Sequence, residues 1–361
     1  MSDAPPGRVA TLALSHFRSH RRTRLTFDAP ITAIHGPNGA GKTNLLEAIS
    51  LLSPGRGMRR AQAEEIIRRP EALGWRIAAT VSGDVPHDIE LRAEPGQPRT
   101  TRIDDKATAQ VALARLLRVL WLVPSMDRLW LEGAEGRRRF LDRLVLSFDP
   151  AHAEGALRYE KAMRDRNRLL KDGVRDAHWY AALEAQMAEY GAGIQSRRVA
   201  ALARLVAAQD TDGPFPAAAL ALSDGGAQVG AEDFAASRSR DMAAGRSLVG
   251  PHRTDLLGRY AAKDIEARLC STGEQKALLI SLILANARAL KTSEGTPPIL
   301  LLDEVAAHLD ADRRAALYAE FHALGGQVFL TGTGRELFEG LEGAMHLEVT
   351  EADGESRVEI A

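Results

Sequence analysis

Eight residues restrict this chain more than any others: Gly36-Pro37-Asn38-Gly39-Ala40-Gly41-Lys42-Thr43. They fit the phosphate-binding pattern G-x-x-x-x-G-K-[ST], and their flanks supply the context that pattern requires. Ile31-Thr32-Ala33-Ile34-His35 alternates and is rich in β-formers, so it reads as a strand. Residues 44–52 carry apolar side chains at helical spacing, and Ser53-Pro54-Gly55 stops them. A strand, a glycine loop and a helix start make an anion site. The glycines let the backbone turn its N–H groups onto phosphate oxygens, and the positive end of a helix dipole stands behind them. Lys42 is expected to reach the β- and γ-phosphates, and the Thr43 hydroxyl to ligate Mg2+. ATP and Mg2+ are the expected ligands.

The 361 residues are 45% hydrophobic and 26% charged, a globular composition that predicts two or three lobes. The formal net charge of -1 and the pI near 6.8 confine any nucleic-acid binding to a local basic patch. A single cysteine, Cys270, excludes an internal disulfide and suits a reducing compartment. The first residues lack the basic-then-apolar layout of a signal peptide, and no apolar run is long enough to span a bilayer. A cytoplasmic protein without a membrane association is expected.

Along the chain, residues 9–17 and 24–27 read as a hairpin around a basic turn at residues 18–23. A glycine-punctuated basic segment, residues 51–61, follows the first helix, and residues 61–69 read as a short helix. Residues 77–81, 88–93 and 99–103 read as antiparallel strands. Helices are expected over 107–119 and 137–148, with a short apolar run at 120–123 between them. Residues 151–213 hold no proline; two or three helices are expected there, broken near Gly173 and around Gly191 and Gly193. They are too short for the long coiled-coil arms of chromosome-organising ATPases. From Arg246 the nucleotide-domain pattern returns, with a polar loop at 250–255, a long helix at 277–290, buried strands at 299–304 and 327–331, a helix at 310–324, and at least one strand in 344–360.

Three further motifs carry chemistry. Ile299-Leu300-Leu301-Leu302-Asp303-Glu304 is a buried strand that ends in two carboxylates, the Walker B arrangement. Asp303 would hold Mg2+, and Glu304 would orient or deprotonate the attacking water. Ser271-Thr272-Gly273-Glu274, at a helix start, resembles the signature motif of ABC-type ATPases, in which that surface meets ATP held by the other subunit. The same residues also read as a capping box, a compatible role. Asp310 occupies the place of the D-loop and also reads as an N-cap. Thr331-Gly332-Thr333 sits where ABC proteins carry a switch histidine, and that histidine is absent.

Together with Phe17-Arg18, residues 53–61, Arg138-Arg139-Phe140-Leu141-Asp142 and Gly250-Pro251-His252-Arg253-Thr254-Asp255, these motifs resemble the RecF family of bacterial recombination-mediator ATPases nearly end to end. The resemblance implies an α/β P-loop ABC-type ATPase head of the SMC kind, with an antiparallel β subdomain, an inserted helical lobe and no long coiled coil. It implies an ATP-dependent homodimer acting as a weak, DNA-stimulated ATPase switch. It also implies binding to DNA at gaps or junctions, and cooperation with RecO and RecR in loading RecA during replication, recombinational repair and the SOS response. Residues 1–105 and 241–361 are expected to form the head, and 106–240 the lobe. The first candidates for DNA phosphates are Arg56, Arg59 and Arg60, then Arg18, Arg21 and Arg22, then Arg137, Arg138 and Arg139. The competing readings are the ATPase subunit of an ABC-type transporter and an architectural, SMC-like DNA-bridging head.

Overall fold

A computed structural model describes residues 7–69 and 71–361. In chain order the elements are β1 (Arg8–Phe17), β2 (His20–Thr26), β3 (Ile31–His35), α1 (Lys42–Ser50), α2 (Ala63–Ile66), β4 (Trp75–Ser82), β5 (His87–Ala93), β6 (Thr100–Ile103), β7 (Lys106–Ala107) and β8 (Val119–Leu122). Then come α3 (Ala134–Phe148), α4 (Ala151–Lys171), α5 (Ala177–Ala207), β9 (Ala218–Leu222), α6 (Ala231–Ala244), β10 (Leu256–Tyr260), β11 (Ile265–Glu266) and α7 (Thr272–Glu294). The chain ends with β12 (Ile299–Leu302), α8 (Ala311–Leu324), β13 (Val328–Gly332), β14 (Met345–Ala352) and β15 (Glu355–Ile360).

The chain divides into two compact units: Met1–Asp127, Asp212–Phe215 and Ile283–Ala361 form the first, and Arg128–Thr211 with Pro216–Leu282 the second. The first unit holds two sheets. One is antiparallel, in the order β2-β1-β4-β5-β6-β7. The other runs β15-β14-β3-β13-β12-β8, with β14, β3, β13, β12 and β8 mutually parallel and β15 antiparallel at the edge. β12 and β13 are buried at every position, which is why Ile299–Leu302 reads as an unbroken apolar run. Leu45, Leu46 and Ile49 of α1 fill the core together with Leu12, Leu14 and Phe17 of β1 and Ile77 and Leu91 of β4 and β5. The buried Gln327 side chain joins the sheets, accepting from Val9 N–H at 2.8 Å and donating to Val9 O at 2.9 Å.

The second unit packs α3 to α6 beside a small sheet, β11-β10-β9. Tyr159, Ala162, Met187, Ile194 and Phe234 form its apolar centre. Arg166, wholly buried, pairs with Asp241 at 2.7 Å and Glu184 at 3.1 Å and donates to Phe234 O at 2.8 Å. Such a charge persists in a core only when its donors are satisfied.

Several elements depart from the sequence expectation. The basic turn at 18–23 shrinks to Arg18 and Ser19, because His20 to Thr23 pair with β1. The helix expected at 107–119 is a 3-10 turn, Gln110–Arg115, and residues 119–122 are a strand paired with β12. α5 runs through Gly191 and Gly193 without a break. A Cβ at Gly191 would lie 3.3 Å from Tyr159 and 3.4 Å from Pro251, so close packing rather than chain reversal accounts for that glycine. The helix-rich unit spans Arg128–Thr211 and Pro216–Leu282. β8 pairs with β12 within the first unit, and β10 with β9 within the second.

Candidate nucleotide-binding site

The glycine loop hangs between the end of β3 and the start of α1, with the C-terminal hairpin behind it. Gly36 has φ 144°, and a Cβ there would lie 2.0 Å from Val349 O of β14. Gly41 has φ 108°, and its Cβ would lie 2.1 Å from Ser356 Oγ of β15. Both positions therefore exclude any side chain. Ser356 Oγ donates to Ala40 O at 2.5 Å and lies 2.6 Å from Ser19 Oγ. At Gly39, by contrast, an added Cβ meets nothing within 4 Å, so the loop's crest is open.

Lys42 donates to Gly36 O at 2.7 Å and Pro37 O at 2.8 Å, which folds its ammonium over the loop. Burial lowers its pKa, against the opposing pull of Glu304 and Asp303. One carboxylate oxygen gathers two hydroxyls beside the loop. Asp303 Oδ1 accepts from Thr43 Oγ1 at 2.9 Å and from Thr331 Oγ1 at 2.7 Å. Thr331 Oγ1 in turn accepts the Glu304 backbone N–H at 3.0 Å. Glu304 has φ 54°, a left-handed conformation unusual for a residue with a side chain. Backbone strain of this kind persists where the surroundings enforce it, and the Thr331 bond is one such constraint. The site thus brings Lys42, Thr43, Asp303 and Glu304 together. Its hydroxyl and carboxylate oxygens form a hard donor set that suits Mg2+, and the open loop crest suits a phosphate chain.

Beneath the loop, His20 is wholly buried, with Nε2 3.2 Å from Gly41 O and Nδ1 3.0 Å from Thr23 Oγ1. A carbonyl can only accept, so Nε2 carries the proton and Nδ1 accepts from Thr23. Desolvation lowers the His20 pKa to about 4, with Arg68 adding to the effect. Glu47 of α1, also fully buried, receives Arg18 through two hydrogen bonds, at 2.7 and 2.9 Å, and Arg59 at 3.4 Å.

These bonds sort the basic candidates. Arg18 is held by Glu47 and Glu65 O, and Arg59 bonds Asn44 and Glu47; Arg56, Arg59 and Arg60 are all exposed. Arg21 and Arg22 lie exposed on β2, Arg21 within 3.8 Å of Glu71. In the second unit Arg137 makes a two-pronged pair with Asp255, Arg138 donates to Thr254 O, and Arg139 pairs with Glu135. Glu47, His20 and Ser356 escaped the sequence reading. Glu47 had a signal: it is the one acid among the apolar residues of the first helix. Ser356 had none, because its role depends on a contact 316 residues away along the chain.

The signature residues lie in the second unit. Ser271 N–H and Oγ donate to Glu274 Oε2, each at 2.9 Å, and Glu274 N–H returns to Ser271 Oγ at 3.3 Å. That is a capping box at the start of α7. A Cβ at Gly273 would meet nothing within 4 Å. Asp310 caps α8, accepting Arg313 N–H at 2.8 Å. No helix among the described residues is long and apolar enough to cross a membrane.

Residues 8–356 match the model of the RecF/RecN/SMC N terminal domain. The chain is 48% identical over 360 residues to the DNA replication and repair protein RecF of Brucella suis biovar 1, covering 94% of each chain. It is 47% identical over 353 residues to that of Rhizobium rhizogenes, covering 92% of this chain and 94% of the other. In fold it is similar to the recombination mediator protein RecF solved with ATP, at TM-score 0.84 and 24% identity over 99% of each chain. It is also similar to the Smc head domain from Pyrococcus furiosus, at TM-score 0.59 and 17% identity, covering 98% of this chain and 96% of that one. The α/β SMC-type head and the sequence identity agree: this chain belongs to the RecF family of DNA replication and repair proteins.

Proposed function

We propose that the chain is an ATP-switched DNA-binding protein of replication and recombinational repair. The observation that carries this reading is the convergence of Thr43 and Thr331 on Asp303, beside Lys42 and the open loop crest. Residues 36–43 bind the phosphates of ATP, Lys42 neutralises the β- and γ-phosphates, and Thr43 and Asp303 hold Mg2+. Mg2+ supplies charge neutralisation and in-line orientation when bound. Glu304 orients and deprotonates the attacking water. Its left-handed backbone, fixed through Thr331, sets where that carboxylate begins.

Ser271, Thr272, Gly273 and Glu274 meet the nucleotide of a second copy, and Asp310 lies at the same seam. The space left open above Gly273 supports this, because nothing in its own subunit requires a glycine there. ATP then joins two copies, and slow, DNA-stimulated hydrolysis releases them. DNA at gaps or junctions is the partner, with the exposed Arg56, Arg59 and Arg60 of the loop after α1 as phosphate contacts, Arg59 also bonding Glu47. Cooperation with RecO and RecR in loading RecA follows from family resemblance.

The test is ATP titration and light scattering of the parent and Lys42→Ala, each with and without gapped DNA. The parent should bind ATP and dimerise. The variant should lose at least about two orders of magnitude in ATP affinity while keeping its circular dichroism, since it lacks the charge at the β/γ-phosphates. Parental affinity in a folded variant would refute the assignment.

A further inference from the structure

Helix α4 carries Lys161, Arg164, Arg168 and Lys171, and all four are exposed. At about 100° per residue they fall within an arc of about 80°. The buried residues Tyr159, Ala162, Arg166 and Leu170 lie on the opposite side, against the core of the second unit. Among the described residues, none of the four cationic side chains makes an ion pair or a hydrogen bond. Glu160 and Asp165 fall on either side of the arc, not within it. One turn earlier the same helix behaves as a solvated surface ordinarily does, with Arg158 paired to Glu154 four residues before it. The arc is therefore a one-signed stripe on a chain whose net charge is only -1. It extends about 15 Å, with a cation roughly every 5 Å. Beyond its end Arg175 is exposed, and Trp179, in the first turn of α5, is 64% exposed.

We propose that this stripe of α4 binds the phosphate backbone of duplex DNA, independently of sequence. The proposal rests on the DNA-binding reading above and adds a surface in the second unit to it. Duplex DNA presents a charge every ~1.7 Å along its axis, so a straight row of cations finds phosphates in any register. Lysine and arginine on a helix face, with no free amide among them, position a backbone and do not read bases. Charge complementarity favours DNA over a protein partner, since the face offers no contiguous apolar surface beyond Leu157.

The experiment measures affinity for a fluorescein-labelled gapped duplex against salt, with ATP, for the parent and for a variant with Lys161, Arg164, Arg168 and Lys171 all changed to Ala. Alanine keeps the helix, so folding and ATP affinity should be unchanged. The slope of log affinity against log salt should fall by about 3 to 4, and affinity near physiological salt by about 100-fold or more. A second variant, K161R/R164K/R168K/K171R, keeps every charge and should keep the parental slope. If the parent binds DNA and the alanine variant matches it in affinity and slope, the stripe is not a DNA surface, and the DNA-binding reading stands without it. If the charge-conserving variant loses the slope as fully as the alanine one, side-chain shape and not phosphate charge is at work, and the proposal fails. If the parent binds no DNA with or without ATP, the function reading itself fails, and the proposal with it.

Discussion

Thr331 donates its hydroxyl to Asp303 Oδ1 at 2.7 Å from the neighbouring strand of the parallel sheet. The same oxygen of Thr331 receives the backbone N–H of Glu304. One hydroxyl thus fixes the carboxylate that faces the loop and the peptide that carries the next acid. Thr331 thereby ties the end of β12 to β13.

Thr331→Val keeps the shape and removes both bonds. The part-buried Glu304 N–H is left without its partner, at a cost of about 1 kcal/mol. We expect a lower urea midpoint and ATP turnover slower by about tenfold, with ATP affinity nearly unchanged because the glycine loop is intact. Turnover at the parental rate in this variant would show that the bond does not position Glu304.

Glu304→Gln should bind ATP with Mg2+ and accumulate as the dimer, since it cannot accept the proton of water. Hydrolysis should fall by about 10²- to 10³-fold. Asp303→Asn should instead weaken the Mg2+ dependence of nucleotide binding. Single-turnover phosphate release and light scattering separate the two, and a Glu304→Gln protein that hydrolyses normally would assign the general base elsewhere.

Ser271→Arg alters the signature helix without touching the glycine loop. Its monomer should bind ATP with parental affinity and fail to dimerise, because a bulky cation occupies the open approach above α7. Loss of the cap costs about 1 kcal/mol, which a urea titration measures separately. Normal ATP-dependent dimerisation would reduce the motif to its capping box.

His20 supplies a pH signature. Its pKa is about 4 in the folded chain against 6.5 for the free side chain, so it folds neutral. The unfolded chain takes up the proton first as pH falls. Stability from this group is therefore complete above about pH 6.5 and is lost progressively towards pH 4, by about 3 kcal/mol in all. His20→Gln removes the titration and keeps a donor for Gly41 O. Urea midpoints of parent and variant from pH 7.5 to 4.5 should diverge as pH falls, with the parent losing more. Parallel curves would mean that His20 does not titrate in this range.

What could be read along the chain was whatever depends on neighbours in sequence. The glycine loop with its strand and helix, the apolar strand ending in Asp303 and Glu304, and the capping residues Ser271 and Asp310 all express local backbone requirements. Hydrophobic periodicity placed β1, β3, α3 and α8 close to where they lie. The basic candidates read less well, because a charge run does not disclose what its side chains bond. Arg18 and Arg59 turn to Glu47, and Arg137 turns to Asp255, all through contacts distant in sequence. Tertiary structure alone decided that residues 119–122 form a strand beside β12, that Gly191 is a packing position, and that Ser356 closes the back of the loop. Local propensity is a sum over adjacent residues, whereas burial of a charge and pairing of a strand are set by whichever distant segment the fold brings to that place.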